Sequence, residues 1–395
     1  MSANDLEARL LEDTARLARE LVAPNAARWE RERRIGREGV DAAAAIGLTR
    51  LEVPVAHGGL GLPFSTKVKV AEILGAADFA FTMSLVNTAN VAAKLARDAP
   101  ESVAGRYVGD LVAGRRLGCT ALSEPGAGSD FASIATSARR TGGGWRLDGA
   151  KAWITNASDA DVLLVYAQTE PGSAGRGIAG FLVDGRRAGF VREPAFALGG
   201  QHAIGTGGFR LEGYEAADDE LLQPPGRGFR SALASINGAR TYIAAMCCGM
   251  VGECLRVAGA YGERRRTFGR ALADHQGWRW RLAEAASELA ACRLIVAQAA
   301  SLVDAGADAQ LVAAQAKWLA TQMAERRIPQ LAQAMGAEGL REEHPFGRHL
   351  HGARVASFVG FAQRDVASAH RRGDAARPRP DAARPRPVTR RGPAR

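Results

Sequence analysis

The chain has 395 residues, 47% of them hydrophobic and 24% charged, with a formal net charge of +10. That length holds two or three domains, and the composition is that of a globular enzyme rather than a disordered or fibrous chain. Nine arginines against Asp374 and Asp381 lie from residue 371 onward, so about seven of the ten charges belong to a tail. The remaining body is close to neutral, which excludes a general nucleic-acid binder.

No apolar run reaches the roughly 18 residues of a membrane span, so no membrane span is expected. The first residues, Met1 to Glu7, are acidic and amphipathic and lack the basic and apolar regions of a signal peptide. The five cysteines, Cys119, Cys247, Cys248, Cys254 and Cys292, are odd in number and have no ligand-like spacing. They are expected as small core residues in a reducing, cytoplasmic compartment.

Residues 1–116 read as an α-helical domain. Leu6, Leu10, Leu17 and Leu21 share one helical face, and Pro24 ends or kinks that helix. Further helices are expected over Val40–Leu48, Ser65–Ala77 and Ala80–Leu95, with a glycine-rich loop between Pro54 and Pro63. Residues 117–228 read as a small β-domain. Trp145 to Leu147 leads into Asp148-Gly149, a hairpin signal, and Val162–Tyr166, Gly180–Val183 and Gly208–Leu211 read as strands.

Residues 229–370 return to a helical pattern. Long helices are expected over Asn237–Tyr261, Gly277–Val303 and Ala309–Met335, and a last one over Val355–His370; short loops between them imply an antiparallel four-helix bundle. The segment Asp-Ala-Ala-Arg-Pro-Arg-Pro occurs at 374–380 and again at 381–387. Proline at that density forbids helix and sheet, so 371–395 is expected to be a disordered basic tail.

Chemistry-bearing residues concentrate between Cys119 and Asn156. Leu122-Ser-Glu-Pro-Gly-Ala-Gly-Ser-Asp130 and Trp153-Ile154-Thr155 are two small-residue loops rich in hydroxyls. Gly126 and Gly128 let backbone approach a ligand, Ser123, Ser129 and Thr155 donate and accept, and Trp153 offers a flat face. A planar cofactor that also carries phosphate suits such loops; a polar turn beside a buried Trp is the plainer alternative. His344, His349 and His351 include a His-x-His pair, but without a supporting carboxylate or Cys cluster no metal is expected. Glu253, Glu284 and Asp365 are acidic residues for which solvated or paired roles are the default.

The two loops resemble the flavin loops of the acyl-CoA dehydrogenase family. Arg265-Arg-Thr-Phe-Gly-Arg270 with Asp274-His275-Gln276 is similar to the segment that reaches a neighbouring subunit's FAD, and Gln333 to Gly339 resembles the segment near the FAD adenine. The resemblance covers about residues 5–370 and implies the helix–sheet–helix α+β architecture of that family, with FAD as cofactor. It implies cofactor binding by Leu122, Ser123, Gly128, Ser129, Trp153, Thr155, Arg265, Thr267, Phe268, Gln276, Gln333, Gly336 and Ala337. Substrate contacts are implied for Ser129, Asn237, Arg240 and Gly360, on an acyl thioester of CoA or acyl carrier protein. A homodimer or homotetramer is implied as well, and no electron acceptor is singled out.

The family's catalytic glutamate is the point of departure. Through Ala353-Arg354, Gly360 takes its place without a gap and Val359 with a one-residue shift; on the long bundle helix, where some members carry it, Ala239 stands instead. Three readings follow: an acyl-thioester dehydrogenase of a biosynthetic pathway with a non-standard base or an acidic substrate, a flavin monooxygenase on the same fold, and a non-oxidative or catalytically silent flavoprotein. The intact Glu124-to-Asp130 loop speaks against the monooxygenase.

Overall fold

A computed structural model describes residues 3–360. The first layer is α1 (Ala3–Leu17), α2 (Ala23–Glu32), α3 (Arg37–Ala45), α4 (Phe64–Ala77), α5 (Phe79–Asp98) and α6 (Glu101–Val112). Pro24 does not end the first helix. The chain passes through one wide π-turn at Ala18–Val22 directly into α2, whose first turn holds Pro24. The helix α6 adds to the expected set; Val103, Ala104, Tyr107, Val108 and Leu111 are its buried face.

The β-domain is one eight-stranded sheet. Its strands are β1 (Gly118–Ala121), β2 (Ser137–Thr141), β3 (Gly144–Ile154), β4 (Val162–Gln168), β5 (Ile178–Asp184), β6 (Phe190–Arg192), β7 (Gly207–Ala217) and β8 (Leu221–Gln223). They lie in the order β6-β7-β3-β2-β4-β5-β8, with β1 parallel to β4 at its side. Side chains of a strand alternate between faces. Val162, Leu164 and Tyr166 of β4 therefore join the core made by α5 and α6, while Leu163, Val165 and Ala167 join the core on the sheet's other face.

Asp148-Gly149 is not the hairpin. The turn is Gly142-Gly143, which brings Thr141 opposite Gly144. Gly149 makes a bulge within β3, where the register against β7 shifts between Leu147 and Gly149. Its φ of 150° and a Cβ position only 2.6 Å from Thr136 Cα demand glycine there, and the Asp148 carboxylate accepts from Gly213 N at 2.6 Å.

The C-terminal layer is α7 (Gly228–Arg264), α8 (Gln276–Asp304), α9 (Gln310–Ala334) and α10 (Phe346–Phe358), with a two-strand ribbon, β9 (Arg266–Thr267) and β10 (Arg270–Ala271), after α7. The final helix begins nine residues ahead of the expected Val355 and ends at Phe358; its expected extension to His370, Asp365 and the basic tail lie outside the described residues. α7 is the central helix, packed on α4, α8 and α9. The approach to α4 is close because Gly249 faces Glu72, where a Cβ would stand 2.1 Å from the Glu72 carbonyl oxygen. All five cysteines are buried and unpaired.

Two helices, α7 and α8, do carry stretches long and apolar enough for a membrane span, each with a mean hydropathy of 1.4. For α7 the central packing explains it. The stretch in α8 is only 28% buried.

Candidate active site

The sheet and the helices enclose a cavity of about 1230 Å³, roomier than the roughly 300–1,000 Å³ of ordinary small-molecule sites. Leu122, Ser123, Gly128, Ser129, Trp153 and Thr155 all line it, so the two predicted loops meet at one site. Gly360 and Ala239 line the same cavity from the helical side.

The loops meet because β1 and β3 end side by side. Ala152 N donates to Ser123 O at 3.1 Å. Beneath that bond lies a buried ion pair that the sequence reading gave no role: Lys151 Nζ bonds Glu124 Oε1 at 2.8 Å and Leu122 O at 3.1 Å. The Glu124 carboxylate also accepts from Ala135 N at 2.6 Å and Thr136 N at 3.0 Å. Burial pushes against ionising Glu124, but the Lys151 charge and these donors hold its carboxyl below the usual value. Burial likewise lowers Lys151, to about 8. Near neutral pH both partners are charged, and the pair works as a clamp rather than as acid–base machinery.

A second clamp closes the far end of β3. Asn156, with φ 64°, donates through Nδ2 to Ser84 O and Gly118 O, both at 3.0 Å, tying β3 to α5 and β1. Trp153 is held at φ 62°, a conformation costly for a bulky residue, and its ring leans edge-on against Phe196 with 61% of its surface exposed.

The loop surface has unused binding capacity. The hydroxyls of Ser123, Ser129 and Thr155 bond no other described residue, and a Cβ at Gly126 or Gly128 would meet nothing within 4 Å. Open backbone, free hydroxyls and an exposed indole face fit a large planar ligand with phosphate.

On the helical side, Gly360 has φ 70° and its carbonyl accepts from Arg240 Nε at 3.2 Å. Arg240 also reaches Asn237 Oδ1 at 3.5 Å. Neither of these two implied substrate residues is among the lining residues; Arg240 instead bonds the Gly360 carbonyl. Among described residues, the carboxylates on the lining are Glu52 and Glu124. Glu253 is paired with Arg256, and Glu284 with Arg327, both away from the cavity.

The other implied cofactor residues sit elsewhere. Arg265, Thr267, Phe268 and Gln276 form the exposed ribbon and the start of α8, while Gln333, Gly336 and Ala337 follow at the end of α9. Trp278 Nε1 joins the two segments by donating to Ala334 O at 3.0 Å. Within one chain none of them lines the cavity, and Phe268 is 97% exposed. His349 and His351 do not form a pair: His349 is buried against Ala76 O at 3.0 Å, while His351 faces the cavity.

Comparison with known proteins agrees with this geometry. Residues 4–115, 119–214 and 226–360 match the N-terminal, middle and C-terminal domain models of acyl-CoA dehydrogenase. The chain is 32% identical over 374 residues to the short-chain specific acyl-CoA dehydrogenase of Bos taurus, covering 92% of this chain and 89% of that protein. It is 29% identical to a glutaryl-CoA dehydrogenase of Desulfococcus multivorans, over 84% of this chain and 87% of that one. Among solved structures, butyryl-CoA dehydrogenase from Megasphaera elsdenii superposes with a TM-score of 0.89 at 25% identity, covering 95% and 99% of the two chains. With all three domains matched in order over nearly the whole described chain, the protein belongs to the acyl-CoA dehydrogenase family.

Proposed function

We propose that the protein is an FAD-dependent oxidoreductase of acyl thioesters that works without the family's carboxylate base. The observation that carries this reading is the pairing of a complete, clamped set of flavin-loop residues with Gly360 and Ala239 on the same cavity. Ser123, Ser129 and Thr155 would bond the flavin edge and its phosphates, and Trp153 would cover one ring face. Bound FAD supplies the two-electron acceptor for hydride from the acyl chain.

The chain's own residues then bind and orient. Arg97 and Lys94 lie toward the exposed end of α5 on the cavity lining, where they suit the phosphate-bearing arm shared by CoA and a carrier protein's prosthetic group. Gly360 and Ala239 leave room where a base would stand, so the proton must leave from a carbon already acidified by the substrate, or from a heteroatom on it. That requirement favours a specialised biosynthetic intermediate over a plain fatty acyl chain.

A second copy of the chain completes the picture. Phe268, Trp280, Leu294 and Trp318 are large exposed apolar residues on the ribbon and on α8 and α9. A homo-oligomer would cover that face and bring Arg265 and Gln333 toward a neighbour's cofactor.

The test is direct. The purified protein should be yellow, and anaerobic addition of its acyl thioester should bleach the flavin. Bleaching only by NAD(P)H with a reductase would favour the oxygenase; a colourless protein that FAD cannot reconstitute would sink the proposal.

A further inference from the structure

The cavity wall opposite the loops carries a buried polar chain that none of the flavin chemistry uses. Lys67 on α4 is 4% exposed, and its ammonium donates to the Glu52 carboxylate and, at 2.9 Å, to Asn90 Oδ1. Asn90 Nδ2 on α5 donates in turn to Tyr242 Oη on α7 at 3.3 Å. Glu52, Lys67, Asn90 and Tyr242 all line the cavity, and so does Asn87. A fatty acyl pocket has no use for such a chain, because buried polar groups beside a bare alkyl group lose hydrogen bonds to water without replacement.

We propose, resting on the acyl-thioester reading above, that this wall is a subsite for a neutral hydrogen-bonding substituent, a hydroxyl or an amide, on a short acyl chain. Three observations support the assignment. First, the wall has unused bonding capacity: the Tyr242 hydroxyl at the end of the chain has no acceptor, and Asn87, one turn before Asn90 on α5, has no donor to its Oδ1 among the described residues. A hydroxyl or amide on the substrate both accepts and donates, so it can use both the Tyr242 hydroxyl and Asn87 Oδ1. Burial pushes the Tyr242 hydroxyl up to about 12, so it keeps the proton it would donate.

Second, the cluster is already neutral. Lys67 and Glu52 cancel, and the ammonium is further screened by the faces of Phe64 at 4.8 Å and Tyr242 at 5.6 Å. A carboxylate or ammonium on the substrate would add one uncompensated charge to a dry wall.

Third, the wall lies close to the reacting position. Tyr242 follows Ala239 by three residues on α7, a rise of about 4.5 Å, on the same helix face. Gly360 contacts the same stretch, its Cβ position being 3.5 Å from Ile243 Cδ1. A chain of only a few carbons therefore spans from the oxidised carbons to Tyr242. Along α5 the lining runs from buried Met83, past half-buried Asn87 and Asn90, to exposed Arg97, which puts the polar subsite at the inner end.

The experiment is calorimetric binding to the flavin-loaded, full-length protein of three thioesters: butyryl-CoA, 4-hydroxybutyryl-CoA and succinyl-CoA. The hydroxylated thioester should bind at least about tenfold more tightly than either other one. Tyr242→Phe should bring that preference near unity. Equal or tighter binding of butyryl-CoA or succinyl-CoA by the unaltered protein overturns the subsite, and that comparison stands even if a variant fails to fold. A hydroxyl preference that survives in folded Tyr242→Phe overturns it too. Absence of binding by all three, and by the same three acyl groups carried on acyl carrier protein, in protein that holds FAD, sinks the acyl-thioester reading itself and this inference with it.

Discussion

The two sides of the cavity are built on different plans. The loop side is rigid and redundant: strand pairing, the Lys151–Glu124 pair and the Asn156 bonds all fix the same few residues. The helical side is permissive, with Gly360 and Ala239 on the lining and a neutral polar chain a turn away. The difference teaches that one cavity can pair a loop face fixed by several bonds with a helical face of small residues and a neutral polar chain.

The largest effect should come from restoring the missing group. Ala239 lies in regular helix on the lining, so Ala239→Glu places a carboxylate in the cavity without backbone strain. Flavin bleaching by a simple butyryl thioester should then rise by about 100-fold or more, the range general-base catalysis supplies. Gly360→Glu should gain less. Its φ of 70° imposes a cost of about 1–2 kcal/mol on any side chain, although space is available. Stopped-flow bleaching of both variants decides the matter; no gain in either would mean that the helical side is no longer shaped for α,β-oxidation.

The same contrast governs what was legible in the sequence. Ser123, Ser129, Trp153 and Thr155 stand on two loops singled out by local composition and by the family resemblance, and they meet on one cavity. The Asp148-Gly149 dipeptide misled because a bulge and a hairpin turn both demand glycine, and only pairing with β7 tells them apart. Lys67, Asn90 and Tyr242 gave no signal at all. They lie on three different helices, 23 and 152 residues from their partners, and only helix packing assembles them. Arg240 and Asn237 were singled out by resemblance as substrate contacts, yet neither is on the cavity lining, and the Arg240 bond to the Gly360 carbonyl depends on how the chain crosses back over α7.

A smaller effect tests the rigidity of the loop side. Lys151→Met leaves the Glu124 carboxylate buried with only its two N–H donors, and should cost about 3–5 kcal/mol of stability. Adding Glu124→Gln to it should recover part of that loss, because the amide needs no counter-charge. A double-mutant cycle on thermal unfolding, with FAD content recorded for each variant, checks this. Additive losses would show that the pair does not clamp the loops.

The smallest effect concerns acid, and it separates the two sides by pH. His349 anchors α10, and so Gly360, to α4 through Ala76 O, and burial holds it neutral down to about 3. Below its ordinary value of 6.5 the unfolded chain therefore binds a proton that the folded chain refuses. Stability from this residue is full above 6.5 and falls by about 1.4 kcal/mol per unit as pH drops toward 3. Asp78, at the start of α5, works in the opposite sense: burial raises it to about 6, so the folded chain takes up a proton between about 6 and 3.8 that the unfolded chain does not. The two nearly cancel in the natural protein, and removing one exposes the other. His349→Asn, which keeps a donor for Ala76 O, should gain stability on acidification from pH 6 to 4.5 relative to the unaltered protein, by about 2 kcal/mol. Glu124, held below the usual carboxylate range, keeps the loop side intact over that interval and lets go only at lower pH. Denaturant unfolding at pH 7, 6 and 4.5 reads the difference; parallel curves for the two proteins would show that His349 does not hold the helical side.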